Sequence, residues 1–166
     1  RTNTAMKGTV IVLNGTSSSG KTTLAKAIQS MDSEVFLHCS LDAFWDMTPA
    51  TIPASSKTFP NMKLALLKTV KALIETGHNV VVDIIFSGQK TYLELGQELN
   101  GVDLLMVKVD CPLEVLKKRE MARGDRKTGL AESQYESIHE GVSYDLIVNT
   151  FSQSTKECAR LILGRV

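Results

Sequence analysis

A parallel β-sheet flanked by helices, five strands in all, is the fold that this sequence predicts, and three observations predict it. Short apolar runs alternate with amphipathic stretches from one end to the other, the rhythm of a doubly wound α/β chain. Val80-Val81-Val82-Asp83-Ile84-Ile85 is an apolar run broken by one acid, as suits a central strand covered on both faces. The first apolar run feeds through a glycine-rich turn straight into a helical pattern. With 166 residues, 43% of them hydrophobic and 22% charged, the chain has the size of one domain with a good core. Residues 1–166 are expected to form that single domain.

The elements follow in order. Thr9 to Leu13 is β-branched and apolar, a first strand, and Thr22 to Ile28 spaces its apolar residues three and four apart as a helix does. Val35 to Cys39 reads as the second strand. Asp46 to Pro60 holds three prolines among Ser and Thr and breaks the rhythm, so a loop is expected there. Met62 to Glu75 is a helix closed by Gly77, and Val80 to Ile85 the third strand. Gln89 to Leu99 is a helix and Leu104 to Val109 the fourth strand. Pro112 opens the next helix, where its missing N–H costs nothing. Asp145 to Val148 is the fifth strand and Gln153 to Leu163 the last helix. No internal repeat or low-complexity tract interrupts the series.

Residues 15–22, Gly15-Thr16-Ser17-Ser18-Ser19-Gly20-Lys21-Thr22, match the phosphate-binding pattern G-x-x-x-x-G-K-[ST]. Between a strand and a helix, such a loop aims backbone N–H groups and the positive end of a helix dipole at one spot. The glycines permit close approach, Lys21 reaches the β- and γ-phosphates, and the Thr22 hydroxyl can ligate Mg²⁺. A glycine-rich turn without a ligand is the bland alternative. The following Thr23 and, after the last strand, Thr150 are assigned to the nucleotide with the loop.

Two acids fall at the carboxyl ends of strands, where ligands of open parallel sheets sit. Asp83 ends the third apolar run, where a carboxylate holds Mg²⁺ directly or through water, or meets substrate. Asp42 follows the second strand in Ser40-Leu41-Asp42-Ala43-Phe44-Trp45-Asp46. It can orient an acceptor hydroxyl and take its proton, or merely cap a helix starting at Ala43. Asp46 is the less favoured competitor. Phe44, Trp45 and Met47 line an apolar substrate pocket or belong to the core.

Arg119-Glu120-Met121-Ala122-Arg123-Gly124-Asp125-Arg126-Lys127-Thr128-Gly129 is rich in arginine and glycine and poor in apolar residues. This composition predicts a cationic lid at about 122–130 rather than a core element. Arg123 and Arg126 would neutralise charge on a transferring phosphoryl group, and Arg119, still helical, would stack on adenine. A solvated helix end is the alternative.

Composition removes other functions. A net charge of +1 gives no reason to propose nucleic acid or an acidic membrane as partner. No apolar stretch approaches the ~20 residues of a membrane span, and the first eight residues lack the apolar centre of a signal peptide. The expected location is therefore cytoplasmic. Cys39, Cys111 and Cys158 are odd in number and widely spaced, which predicts buried free thiols rather than a metal site. His38 and His78 read as structural and exposed respectively. His139 could contact substrate, pin the lid or be held by a backbone carbonyl.

Together these segments resemble the chloramphenicol phosphotransferase family of small phosphate-loop kinases. The likeness is carried by Leu13 to Thr22, the Asp42 segment, Val82 to Phe86, Arg119 to Arg126, Gly129-Leu130-Ala131 and His139 to Asp145. It runs from about Gly8 to the end of the chain. The resemblance implies a P-loop NTPase fold of the nucleoside- and shikimate-kinase kind. It also implies ATP with Mg²⁺, transfer to a primary hydroxyl of the antibiotic, Asp42 as base and the lid arginines on the phosphates. Three departures stand out. Asp83 is followed by Ile84 rather than a second acid, Asn149 rather than an acid precedes Thr150, and the insert after Asp46 has little to match.

The leading expectation is an ATP- and Mg²⁺-dependent kinase for a small-molecule alcohol, chloramphenicol or a relative. An ordinary metabolite, a nucleoside or sugar-type alcohol, is the alternative acceptor, and a toxin-like kinase of nucleotide-sugars a further one. Residues 31–62 contain no arginine, which argues against a carboxylate-bearing acceptor. A regulatory ATPase is the reading from another class. Oligomeric state is not legible.

Overall fold

A computed structural model of the chain describes residues 8–125 and 128–166. Five parallel strands form one sheet in the order β2-β3-β1-β4-β5. They are β1 (Thr9–Asn14), β2 (Phe36–Ser40), β3 (Asn79–Ile84), β4 (Asp103–Asp110) and β5 (Leu146–Asn149). The fold class is the expected one.

Side chains alternate across the strands, and each face gathers its own core. Ile11, Leu13, Val81 and Val107 meet Leu24 and Ile28 of α1 (Lys21–Met31) and Ile162 of α7 (Thr155–Leu163). Val10, Val12, Val80 and Val82 meet Leu66, Leu67 and Val70 of α3 (Met62–Glu75) and Leu95 of α4 (Gly88–Glu98). Both faces of β1 and β3 are therefore covered, which is why their sequences are continuous apolar runs. Register sets the site. Leu13 lies beside Asp83 and Val107, and Asn14 beside Ile84 and Lys108, so β1 and β3 end level at the phosphate-loop motif while β4 runs on past it to Asp110.

Several boundaries move. Val35 is 77% exposed and lies outside β2, which continues to Ser40 instead. A short α2 (Leu41–Trp45) begins two residues before the expected Ala43, with Ser40 at its N-cap and Asp42 in its first turn. Asp42 is thus not the cap. The segment after α2 is irregular as expected, braced by a Thr58 hydroxyl that donates to the Pro53 carbonyl. The last helix starts at Thr155, behind a capping box of Ser154 and Glu157.

The arginine segment departs most from expectation. Helix α5 (Leu113–Arg123) extends through Arg123 and ends at Gly124, whose φ of 68° supplies the left-handed C-cap. A further helix, α6 (Leu130–Gln134), follows, then a 3₁₀ turn at Ser137–His139. Glu120, just before the expected lid, is 3% exposed and accepts from the Leu130 and Ala131 N–H groups, so this end of the arginine segment is buried. Among the described residues, no helix is long and apolar enough to cross a membrane.

Candidate active site

The turn between β1 and α1 is wound tightly enough to leave few residue choices. Gly20 and Ser18 have φ of 96° and 69°, a region that favours glycine. A Cβ on Gly15 would sit 2.6 Å from the Val109 carbonyl oxygen, so β4 presses directly on the loop. Inside the turn, the hydroxyls of Ser17, Ser18 and Ser19 are buried without a hydrogen-bond partner. Buried polar groups left so are rare, and a polyphosphate is the kind of ligand that would engage them. Lys21 is itself buried, its Nζ donating to the Thr16 carbonyl at 2.8 Å.

Asp83 stands opposite. Its Oδ2 accepts the Thr22 hydroxyl at 2.6 Å and lies 3.2 Å from Nε2 of His38 on β2. Burial pushes its carboxyl up, but the His38 hydrogen bond, the charge of Lys21 and the Thr22 hydroxyl outweigh that and hold it below the ordinary value. An ionised carboxylate beside a threonine hydroxyl is a hard oxygen pair fit for Mg²⁺. His38 is thus more than a strand filler. Nothing local in the sequence shows this, because the contact arises from β2 pairing with β3.

Arg119 of α5 donates to the Thr150 hydroxyl and carbonyl at 3.0 Å each, and reaches the carbonyls of Ser18 and Ser19 at 3.4 Å. The Thr150 hydroxyl in turn donates to the Ser19 carbonyl at 2.6 Å. Asn149, standing where an acid was expected, accepts from the N–H groups of Phe151 and Ser152 and so builds this turn.

These groups border one cleft of about 630 Å³. Ser17, Ser18, Gly20, Lys21, Thr22 and Thr23 line one side, and Asp42 and Asp83 another, with Leu41, Ile84 and Ile85 as its apolar wall. Arg119, Arg123 and Thr150 complete the rim. Arg123 also pairs with Asp125 at 3.1 Å. Gly15, Thr16 and Ser19 support the loop from behind, while Arg126 lies outside the described residues.

Asp46 caps the C-terminus of α2 and is not a lining residue. Phe44 and Trp45 pack against the core, and Met47 is 65% exposed, so the suggested aromatic wall is absent from the cleft. His139 is held by the Tyr144 hydroxyl rather than by a backbone carbonyl. It borders a separate cavity with Lys108 and Asp110. All three cysteines are buried and free.

Comparison with known proteins shows the family and the fold. The family model described as "Chloramphenicol phosphotransferase-like protein" matches residues 8–166. A Mycobacterium tuberculosis relative named "Putative O-phosphotransferase" is 27% identical over 180 residues, covering 93% of this chain and 80% of its own. Among solved structures, the APS kinase of Mycobacterium tuberculosis, in complex with AMPPNP and APS, superposes with a TM-score of 0.73 at 19% identity. That superposition covers 95% of this chain and 96% of the other. A gluconokinase from Sinorhizobium meliloti gives 0.68 at 20% identity, covering 96% and 91%. Both likenesses are of fold.

Proposed function

The chain belongs to the chloramphenicol phosphotransferase-like family, and from that membership we propose that it moves the γ-phosphoryl group of ATP, with Mg²⁺, to a hydroxyl of a small molecule. That it is a phosphotransferase enzyme of the P-loop kinase fold follows from its relatives. The donor, the metal and the residue roles are the proposal. One observation carries it: a single cleft brings Lys21 and Thr22 of the phosphate loop together with Asp83 of β3 and Asp42 of α2.

In this reading the loop amides and Lys21 hold the phosphates, and the Ser17 and Ser18 hydroxyls, which lack partners and border the cleft, turn to them. Thr22 and Asp83 would hold Mg²⁺, which when bound screens the charge of the phosphate oxygens. Asp42 orients the acceptor hydroxyl and takes its proton. Arg123, together with Arg126, offsets charge as the phosphoryl group leaves, and Arg119 with Thr150 positions the nucleotide. Residues 1–166 act as one kinase domain, with a lid at about 122–130. An ATP-dependent reaction belongs where ATP is held, so the cytoplasm is part of the same proposal.

Chloramphenicol or a related antibiotic is one acceptor class. A second is an ordinary nucleoside or sugar-type alcohol, of which the sugar type suits the cleft wall better. Phe44 and Trp45 are committed to the core, leaving Leu41, Ile84 and Ile85 without an aromatic platform. A panel of both alcohol classes, incubated with ATP, Mg²⁺ and protein and scored by mass for a phosphorylated product, tests the proposal. Products from one class identify the acceptor. ATP turnover without any phosphorylated alcohol would favour a regulatory ATPase.

A further inference from the structure

Helix α6 is too short to be stable alone, since isolated helices need ~12–15 residues even in favourable sequences. Two side chains fix it at opposite ends. At its start the buried carboxylate of Glu120 accepts the N–H of Leu130 at 3.1 Å and of Ala131 at 2.8 Å. A carboxylate there satisfies two orphan donors and meets the positive end of the helix. At its end, Oε1 of Gln134 accepts the N–H of Ser17 at 3.0 Å, inside the phosphate loop. Glu120 directly follows Arg119, which meets the same loop at the Ser18 and Ser19 carbonyls.

We infer that Glu120 and Gln134 are positioning residues, which make α6 a brace holding the phosphate loop in register with the arginine-bearing helix α5. The loop is thereby gripped at two points, by Arg119 through its carbonyls and by Gln134 through an amide. Among the described residues Glu120 bonds to α6 rather than to the loop, and it is not a cleft-lining residue, so it acts through α6. Its carboxylate keeps α6 at a fixed distance from Arg119 and Arg123, so the alignment of loop and guanidinium groups depends on it. Nucleotide affinity depends on it less, because the loop amides and Lys21 grip the phosphates directly.

The inference rests on the proposed phosphotransfer for its kinetic arm only, and amide hydrogen exchange tests it without catalysis. In Glu120→Gln, one amide oxygen replaces the two carboxylate oxygens that Leu130 and Ala131 use separately. Exchange should therefore accelerate at these two amides and also by about tenfold at Ser17, to which Glu120 is not hydrogen-bonded. Acceleration confined to Leu130 and Ala131 would make Glu120 a local cap and overturn the brace. In the kinetic arm Glu120→Gln and Gln134→Leu should each lower kcat about tenfold with AMPPNP affinity held within about threefold. The double variant should be no slower than the worse single one, because both cut the same strut. Multiplying effects would refute the coupling. If Glu120→Gln does not fold, Gln134→Leu carries the test: exchange at Ser17 must rise and kcat fall at unchanged melting temperature. Wild-type protein that binds no AMPPNP would instead refute the nucleotide reading, and the exchange measurement would still decide the brace.

Discussion

Changing Asp42 to Asn removes basicity and charge while keeping shape. Ser40, not Asp42, is the N-cap of α2, so the substitution should cost no more than about 1 kcal/mol through the weakened helix-dipole interaction. Transfer to an alcohol should fall by roughly 10²–10⁴-fold, with ATP affinity unchanged. Product formation, nucleotide binding and melting temperature on one preparation check this, and normal turnover would move the base elsewhere. Lys21→Ala should abolish transfer and weaken ATP binding, since within the cleft Lys21 is the lysine lining the loop. A folded variant with near-normal rate would refute the phosphate-loop reading. These residues were legible in the sequence because each belongs to a local pattern. His38, Glu120 and Gln134 were not. Their partners lie 45, 10 and 117 residues away, and no local pattern announces a contact made by tertiary pairing.

At the next scale, the segment around the 3₁₀ turn is bolted to β1. Asn14, fully buried, accepts from the Phe86 N–H and donates to the Ile138 carbonyl and the Tyr144 hydroxyl. The Tyr144 hydroxyl also shares a hydrogen bond with Nδ1 of His139, and because it already accepts from Asn14, its own proton suits a neutral imidazole. Burial, with Lys108 and Lys21 adding to it against the opposing pull of Asp110, lowers His139 to about 4. Burial likewise pushes Tyr144 up to about 12, despite the Asn14 bond. The unfolded chain takes up a proton near pH 6.5 that the folded one refuses until about 4. The stability this group contributes is complete above pH 6.5 and is lost as pH falls towards 4. His139→Gln should therefore flatten the stability profile over that window, as denaturant titrations at several pH values would show; an unchanged slope would contradict the neutral ring. Asn14→Ala should cost about 1–3 kcal/mol or more, since it strands the buried Phe86 N–H. Strands and long helices were readable from periodicity; α2 was anticipated only as a helix starting at Ala43 and α6 not at all, because five residues cover too little of the helical period to show it.

For the molecule as a whole, the candidate cleft lies at the carboxyl end of central β1, between β3 and β4, where parallel sheets of this kind bind their ligands. A ligand that binds only the folded form stabilises it, by ~2.7 kcal/mol at a hundred times its Kd. ATP with Mg²⁺ should thus raise the melting temperature by roughly 5–11 °C for a chain of this size, and Lys21→Ala should remove most of the rise. A wild-type scan without any rise would count against nucleotide binding. The fold class was legible because strand burial and helix amphipathicity are written continuously along the chain. The acceptor was not, because the insert after α2 follows no repeating constraint. The same strand order bears on how the protein is made. β1 leaves the ribosome before either neighbour, yet it pairs with Val80 and its successors on one side and with Asp103 and its successors on the other. At ~5–20 residues per second, the most apolar ribbon of the nascent chain waits for several seconds with both edges bare, and this is the interval in which a chaperone has most to shield.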